Sequence, residues 1–213
     1  MEPTFGFVDL AGFSALTEAH GDESAADLVV RFTTLVEEAV AGEGRRVKTI
    51  GDAVLVATQT PASAVGFVTR LARRTAREPD FPVLRAGFHH GEAVERAGDV
   101  FGAAINLAAR VAAHARGGQV LATGRVADAA RTAGIAVTDL GRVALHNLRD
   151  PIELFALEIG ATPAAEAVDP VCRMRVAYAR AAGRLRVDGV EYWFCSIECA
   201  ARFARDPTSY LRR

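Results

Sequence analysis

Two aspartates end short apolar runs in this chain. Asp9 follows Phe5-Gly6-Phe7-Val8, and Asp52 sits in a Gly51-Asp52 turn between two apolar segments. Neighbouring antiparallel strands would set such carboxylates side by side, where they suit two cations of the Mg²⁺ type, held by carboxylates plus substrate phosphates. Each aspartate alone also fits an ordinary turn. After Asp9, the small-residue turn Leu10-Ala11-Gly12-Phe13-Ser14 leads from strand toward helix, and its backbone N–H groups suit phosphate oxygens. Asn106 and Arg110 are four apart in a helical stretch, so an amide and a guanidinium share one face; a solvated surface pair has the same spacing. The three cysteines, Cys172, Cys195 and Cys199, all lie in the last fifth of the chain. An odd, clustered set in a reducing compartment reads as metal ligands rather than disulfides, and otherwise as small buried hydrophobes.

These groups need elements to hold them. Residues 4–10 have strand character, and from Asp22 or Ser24 the residues Leu28, Val29, Phe32, Leu35, Val36 and Val40 repeat at helical spacing. Residues 45–50 and 53–57 form a hairpin around Gly51-Asp52, and Thr60-Pro61 opens a helix to about residue 77. Strands are expected at 83–89 and 92–96, then a helix over 102–115 with Ile105, Ala108, Ala109 and Ala112 as its buried stripe. Short strands at 119–122, 135–140, 143–145 and 152–157, with a helix near 126–133, complete an α+β alternation. Residues 160–168 lack periodicity and read as a linker between a domain at 1–159 and a small unit at 169–213.

Bulk properties agree. At 213 residues the chain exceeds the commonest domain size of about 100–150, and half its residues are hydrophobic, enough for a real core. A net charge of -1 argues against a nucleic-acid binder. No apolar run approaches the roughly 20 residues of a membrane span, and Met1-Glu2-Pro3-Thr4 has no basic, apolar leader, so a cytoplasmic protein is expected.

Together these pieces resemble the class III adenylate and guanylate cyclases over about residues 4–157. The resemblance is carried by Phe7-Val8-Asp9-Leu10-Ala11-Gly12-Phe13-Ser14, by Lys48-Thr49-Ile50-Gly51-Asp52, by Arg85-Ala86-Gly87-Phe88-His89-His90-Gly91-Glu92, and by the run from Gly98-Asp99-Val100-Phe101-Gly102 to Asn106 and Arg110. It implies a ferredoxin-like α+β catalytic domain in which Asp9 and Asp52 hold two Mg²⁺ or Mn²⁺ ions. Lys48 and Asp99 would read the adenine edge of ATP, Asn106 orient the ribose and Arg110 stabilise charge on the phosphate. In that mechanism an activated ribose 3′-hydroxyl attacks the α-phosphate in line, giving cyclic AMP and pyrophosphate. It also implies a homodimer, each site being completed across the interface. Where family members usually carry a phosphate-gripping lysine, this chain reads Leu145-His146-Asn147-Leu148. That departure keeps open a nucleotide- or metal-responsive sensor with weak or lost activity. His89 and His90 read as turn or core residues.

The tail, from Asp169-Pro170-Val171-Cys172 to Tyr192-Trp193-Phe194-Cys195-Ser196-Ile197-Glu198-Cys199, with an Asp188-Gly189 turn and a helix capped by Ser196, resembles the YHS domain, related to TRASH metal modules. Its thiolates suit Zn²⁺ or Cu⁺, with Met174 the nearest soft candidate for a fourth ligand. A unit this short needs a metal, or docking on the larger domain, to be stable.

Overall fold

The computed structural model describes residues 2–96, 99–160 and 165–211. Strand β1 (Thr4–Leu10) is followed by α1 (Phe13–His20) and α2 (Asp22–Val40). Helix α1 is a correction to the sequence reading. Two turns are too short to display a helical repeat, and Gly21, at φ 85°, separates them from α2. Strands β2 (Gly44–Ile50) and β3 (Ala53–Thr58) make the expected hairpin. Helix α3 (Pro61–Thr75) starts as expected, with the Thr60 hydroxyl accepting the Ser63 N–H at 3.1 Å. Next come β4 (Leu84–His90), β5 (Val94–Arg96), β6 (Asp99–Phe101), α4 (Ala103–His114), β7 (Val120–Ala122) and α5 (Gly124–Thr132). His89 and His90 end β4 rather than follow it. Their Nδ1 atoms bond Thr123 Oγ1 at 2.8 Å and Thr4 Oγ1 at 2.9 Å, so they tie the strand to its neighbours.

Two strands expected between residues 135 and 145 are one, β8 (Val137–Val143). The register shifts between Asp139 and Gly141, where glycine adopts φ 70° and donates its N–H to Asp139 Oδ1 at 2.7 Å. Such a bulge hides a continuous strand from a period-two reading. Strand β9 (Ile152–Leu157) completes a seven-stranded sheet of order β2-β3-β1-β4-β7-β9-β8, in which β4–β7 is the parallel pair.

Alternation along β3 shows the two layers. Val54 and Val56 pack with Phe32 and Val36 of α2, Phe67 and Leu71 of α3, and Val126 of α5. Leu55 packs on the opposite face with Phe5 and with Ile105 and Ala108 of α4. Helix α4 comes very close to the sheet because it is rich in alanine and crosses Gly87, where a Cβ would lie 2.0 Å from Ala112 N.

The tail consists of β10 (Glu166–Val168), β11 (Arg175–Ala177), β12 (Gly183–Val187), β13 (Val190–Phe194), α6 (Ile197–Arg205) and α7 (Thr208–Leu211). Of the expected linker, residues 161–164 lie outside the described residues, and residues 166–168 pair with β11. Asp188 and Gly189, both at positive φ, make the expected tight turn. Around Phe203 stand Tyr192, Phe194 and Tyr210, with ring centroids 4.9, 5.2 and 6.1 Å away.

This small core is continuous with the large one. Val171, Cys172, Met174, Phe194, Cys199 and Phe203 are buried in the same cluster as α2 and α3. Backbone bonds join the two parts: Val83 N–H to Arg173 O at 3.0 Å and Arg175 N–H to Phe81 O at 3.1 Å. The Arg175 guanidinium donates to the carbonyls of Glu78, at 2.9 Å, and Thr75. Arg202 reaches α1, donating to Glu18 O at 2.9 Å. Among the described residues no helix is long and apolar enough to cross a membrane.

Gly87→Val forces a side chain into the α4 backbone, so denaturant unfolding should show a loss of at least about 1–3 kcal/mol. An unchanged unfolding midpoint would contradict the close approach.

Candidate active site and cysteine cluster

Strand register sets the first group of candidate residues. Asp9 lies on β1 opposite Ala53 of β3 on one side and Arg85 of β4 on the other, so Asp52, at the end of the β2–β3 hairpin, is brought to Asp9. Arg85 donates Nε to Asp9 Oδ2 at 2.6 Å, and its terminal nitrogen meets the same oxygen. Asp9 is only 8% exposed, and its other oxygen, Oδ1, is buried without a hydrogen-bond partner. Partial burial, and then the neighbouring Asp9 carboxylate, push the Asp52 carboxyl up to about 6. A buried acceptor lacking a donor, next to a carboxyl reluctant to ionise, is a donor set that fits a hard cation.

The turn after Asp9 runs from buried Leu10 and Ala11 through Gly12, at φ 72°, into α1 at Phe13 and Ser14. A Cβ on Gly12 would lie 2.7 Å from Arg173 Cγ, so the tail packs directly on this turn.

The second group forms around β2 and β6. Lys48 Nζ bonds both oxygens of Asp99, at 2.8 and 2.7 Å, and this contact, followed by the Val100 N–H, holds the Asp99 carboxyl below its usual range. Lys48 also stands 6.0 Å from the centre of the Phe101 ring. Phe101 and its cross-strand partner Val94 are each 54% exposed, a large apolar surface for a strand pair. Asn106 and Arg110 lie one turn apart on α4, both exposed. His146 is exposed beside the turn at Asn147, φ 61°.

The third group is the cysteine cluster. Cys195 Sγ lies 3.4 Å from Cys172 Sγ and 3.8 Å from Cys199 Sγ. Ser196 caps α6 through the Cys199 N–H at 3.1 Å, which fixes Cys199 in the first turn as the spacing implied. Hydrogen bonds from Cys172 and then Cys195 hold the Cys199 thiol well below its usual range, while bonds to Cys195 and then Cys199 push Cys172 up. Two residues join the cluster without an expectation from sequence. Fully buried Asp169 accepts N–H groups from Val171 at 2.8 Å, Cys172 at 3.4 Å and Cys195 at 2.9 Å, so one carboxylate orients both cysteine loops. His20, at the end of α1, places Nε2 3.4 Å from Cys195 Sγ. A lone histidine about 150 residues before the first cysteine gives no sequence signal. Arg85 opens the Arg85–Glu92 motif, but its pairing with Asp9 emerges only from register. Met174 forms a bridge to Pro82 and packs in the buried core.

One sheet covered by helices on both faces, a carboxylate pair at a glycine turn and a separate lysine–aspartate pair make up the arrangement that the comparisons with known proteins identify. Residues 2–159 match the model of the adenylate and guanylate cyclase catalytic domain and residues 167–213 that of the YHS domain, so the chain belongs to that cyclase family and carries a C-terminal YHS domain. It is 37% identical over 163 residues to the pH-sensitive adenylate cyclase of Mycobacterium tuberculosis, covering 75% of this chain and 41% of that one. With an adenylate cyclase of Streptomyces coelicolor it shares 40% identity over 107 residues, covering 50% and 28%. The chain thus spans less than half the length of these curated relatives. Among solved structures, an adenylate/guanylate cyclase/hydrolase from Silicibacter pomeroyi superposes with a TM-score of 0.65 at 26% identity, covering 74% of this chain and 96% of that one. An adenylate cyclase from Trypanosoma brucei, solved in its monomeric state, shares the fold with a TM-score of 0.65 at 24% identity over 76% and 89%.

The raised Asp52 value has a definite sign. Below 3.8 the carboxyl is protonated folded or unfolded; between 3.8 and about 6 the folded chain alone keeps its proton, so this group's stabilising contribution is lost as pH rises through that window. Without divalent cation, the thermal midpoint of the wild type should therefore fall relative to Asp52→Asn as pH rises through the window. Mg²⁺ affinity should weaken as pH drops below about 6, by up to tenfold per unit. Parallel pH profiles for the two proteins would disprove the assignment.

Proposed function

We propose that this chain is an adenylate cyclase, converting ATP to 3′,5′-cyclic AMP and pyrophosphate. The observation that carries the reading is the juxtaposition of Asp52 with Asp9, whose Oδ1 is buried and unpartnered. Bound at these carboxylates, two Mg²⁺ or Mn²⁺ ions would supply Lewis acidity toward the ribose 3′-hydroxyl and the phosphates. The residues of the chain bind and orient. Lys48 and Asp99 offer an ammonium donor and a carboxylate acceptor, which complement a ring nitrogen and the exocyclic amine of adenine. In the free chain they satisfy each other, so base binding exchanges one charge-assisted pair for two contacts. Of the turn Leu10, Ala11, Gly12, Phe13 and Ser14, the last three residues offer backbone N–H groups to the triphosphate, the Ala11 N–H being taken by Val83 O at 3.0 Å, and Arg85, next to Asp9, adds positive charge there. Asn106 orients the ribose. Arg110 neutralises charge that grows on the phosphate as the 3′-oxygen bonds the α-phosphorus and the bond to the leaving pyrophosphate breaks.

The reading includes a homodimer with both active sites at the interface. It is supported by the exposed apolar pair Val94–Phe101 beside Lys48 and Asp99. It also includes control of the cyclase by metal at the tail, supported by the packing of Arg173 on Gly12.

Purified chain incubated with ATP or GTP and Mg²⁺ or Mn²⁺ should form cyclic AMP in preference to cyclic GMP. Asp9→Ala and Arg110→Ala should each lose on the order of a hundredfold or more in turnover. Activity per chain should fall on dilution as dimers dissociate. Absence of product from folded, dimeric protein would instead favour a nucleotide- or metal-responsive sensor, the reading that His146 in the lysine position anticipates.

A further inference from the structure

The tail resembles a module that binds metal through cysteines, but its three sulfurs leave a tetrahedral ion one ligand short. The missing donor stands in the other domain. His20 Nε2 is 3.4 Å from Cys195 Sγ, which is 3.4 Å from Cys172 Sγ and 3.8 Å from Cys199 Sγ. All four donor atoms lie within 4.8 Å of one another. Around a tetrahedral Zn²⁺, with bonds of about 2.3 Å to sulfur and 2.0–2.1 Å to nitrogen, ligand atoms sit roughly 3.5–3.8 Å apart, so closing on an ion shortens the widest separation by roughly 1.0–1.3 Å. We infer that His20 completes a Cys₃His site for a cation of the Zn²⁺ class, and that the ion fastens the first helix of the cyclase domain to the YHS domain.

The surroundings are built as a ligand shell. Asp169 orients the Cys172 and Cys195 loops through three backbone N–H groups, and Ser196 fixes Cys199. An adjoining cleft of about 360 Å³ is bordered by His20 and Cys195, with the ion pairs Asp80–Arg180 and Glu166–Arg175 also in its wall. His20 ends α1, and the other end of that helix begins at Gly12, in the turn assigned to the triphosphate. An ion on His20 therefore restrains that turn from the far end of an eight-residue rod. This last coupling rests on the cyclase reading; the site itself does not, and metal binding tests it independently of catalysis.

Reduced, metal-free chain is titrated with Co²⁺, whose thiolate charge-transfer and ligand-field bands report donor type and geometry, and then with Zn²⁺ against a chromophoric chelator. One tetrahedral ion per chain is expected. His20→Ala should weaken binding by at least the roughly 10–100-fold that losing even an outer-shell partner costs, and His20→Cys should restore it with a four-thiolate spectrum. Amide exchange across Phe13–His20 should slow on Zn²⁺ addition in the wild type and not in His20→Ala. X-ray absorption of the Zn²⁺-loaded wild type requires no variant, and should find three sulfurs and one nitrogen. A shell of three sulfurs and an oxygen, of four sulfurs, or no ion bound to the reduced chain would overturn the assignment. So would His20→Ala that binds as tightly as wild type with an unchanged spectrum.

Discussion

A carboxylate buried with one oxygen unsatisfied is expensive for a central strand to hold, because the desolvation is not returned by hydrogen bonds. Asp9 is in that position on β1. The strand cannot slip to relieve it: one residue of slip would turn Phe5 and Val8 out of their opposite cores, the same alternation that buries α4 on one face and α2, α3 and α5 on the other. Arg85 compensates one oxygen from the neighbouring strand, and Asp52 adds its own charge to the other side. Much of the architecture serves this arrangement, from the two-residue hairpin turn that delivers Asp52 to the glycine that lets the chain bend away after Leu10. The sheet stores an electrostatic imbalance that a divalent ion would remove.

The second organising fact is that the tail does not stand apart. Its aromatic cluster is small, yet its buried residues extend the large core, and its β11 segment bonds to the backbone at Phe81 and Val83. Burial of Arg175 lowers its guanidinium somewhat, against the opposing charges of Glu166 and Glu78, while its donors are taken by carbonyls of the cyclase domain. Docking thus supplies what a unit of this length lacks by itself.

Legibility from sequence followed the range of the interactions. Strands, the hairpin around Asp52, the Thr60-Pro61 start, the Ser196 cap and the Asp188-Gly189 turn are local choices, and each can be read from a few adjacent residues. Lys48 and Asp99 stand in two separate motifs, and the fold brings them into direct contact. Helix α1 was too short to show a period, and the bulge at Gly141 broke the alternation of β8. Arg85 on Asp9, Asp169 under the cysteine loops and His20 beside Cys195 are contacts between distant or differently folded segments. No local pattern announces them, and the expected linker at 160–168 likewise ends in a strand that only its partner β11 defines.

The span of those late contacts bears on how the chain is made. His20 meets Cys195 across 175 positions and Glu18 meets Arg202 across 184. During synthesis the cyclase portion leaves the ribosome well before the tail, so the side of Phe81 and the end of α1 wait uncovered until residues 169–205 arrive. Contacts closed over such long loops are slow to form, and exposed apolar surface in the interval invites association with other nascent chains. The tail therefore acts as a closing piece, and nascent chains stalled before it would need a chaperone that shields the unfinished face.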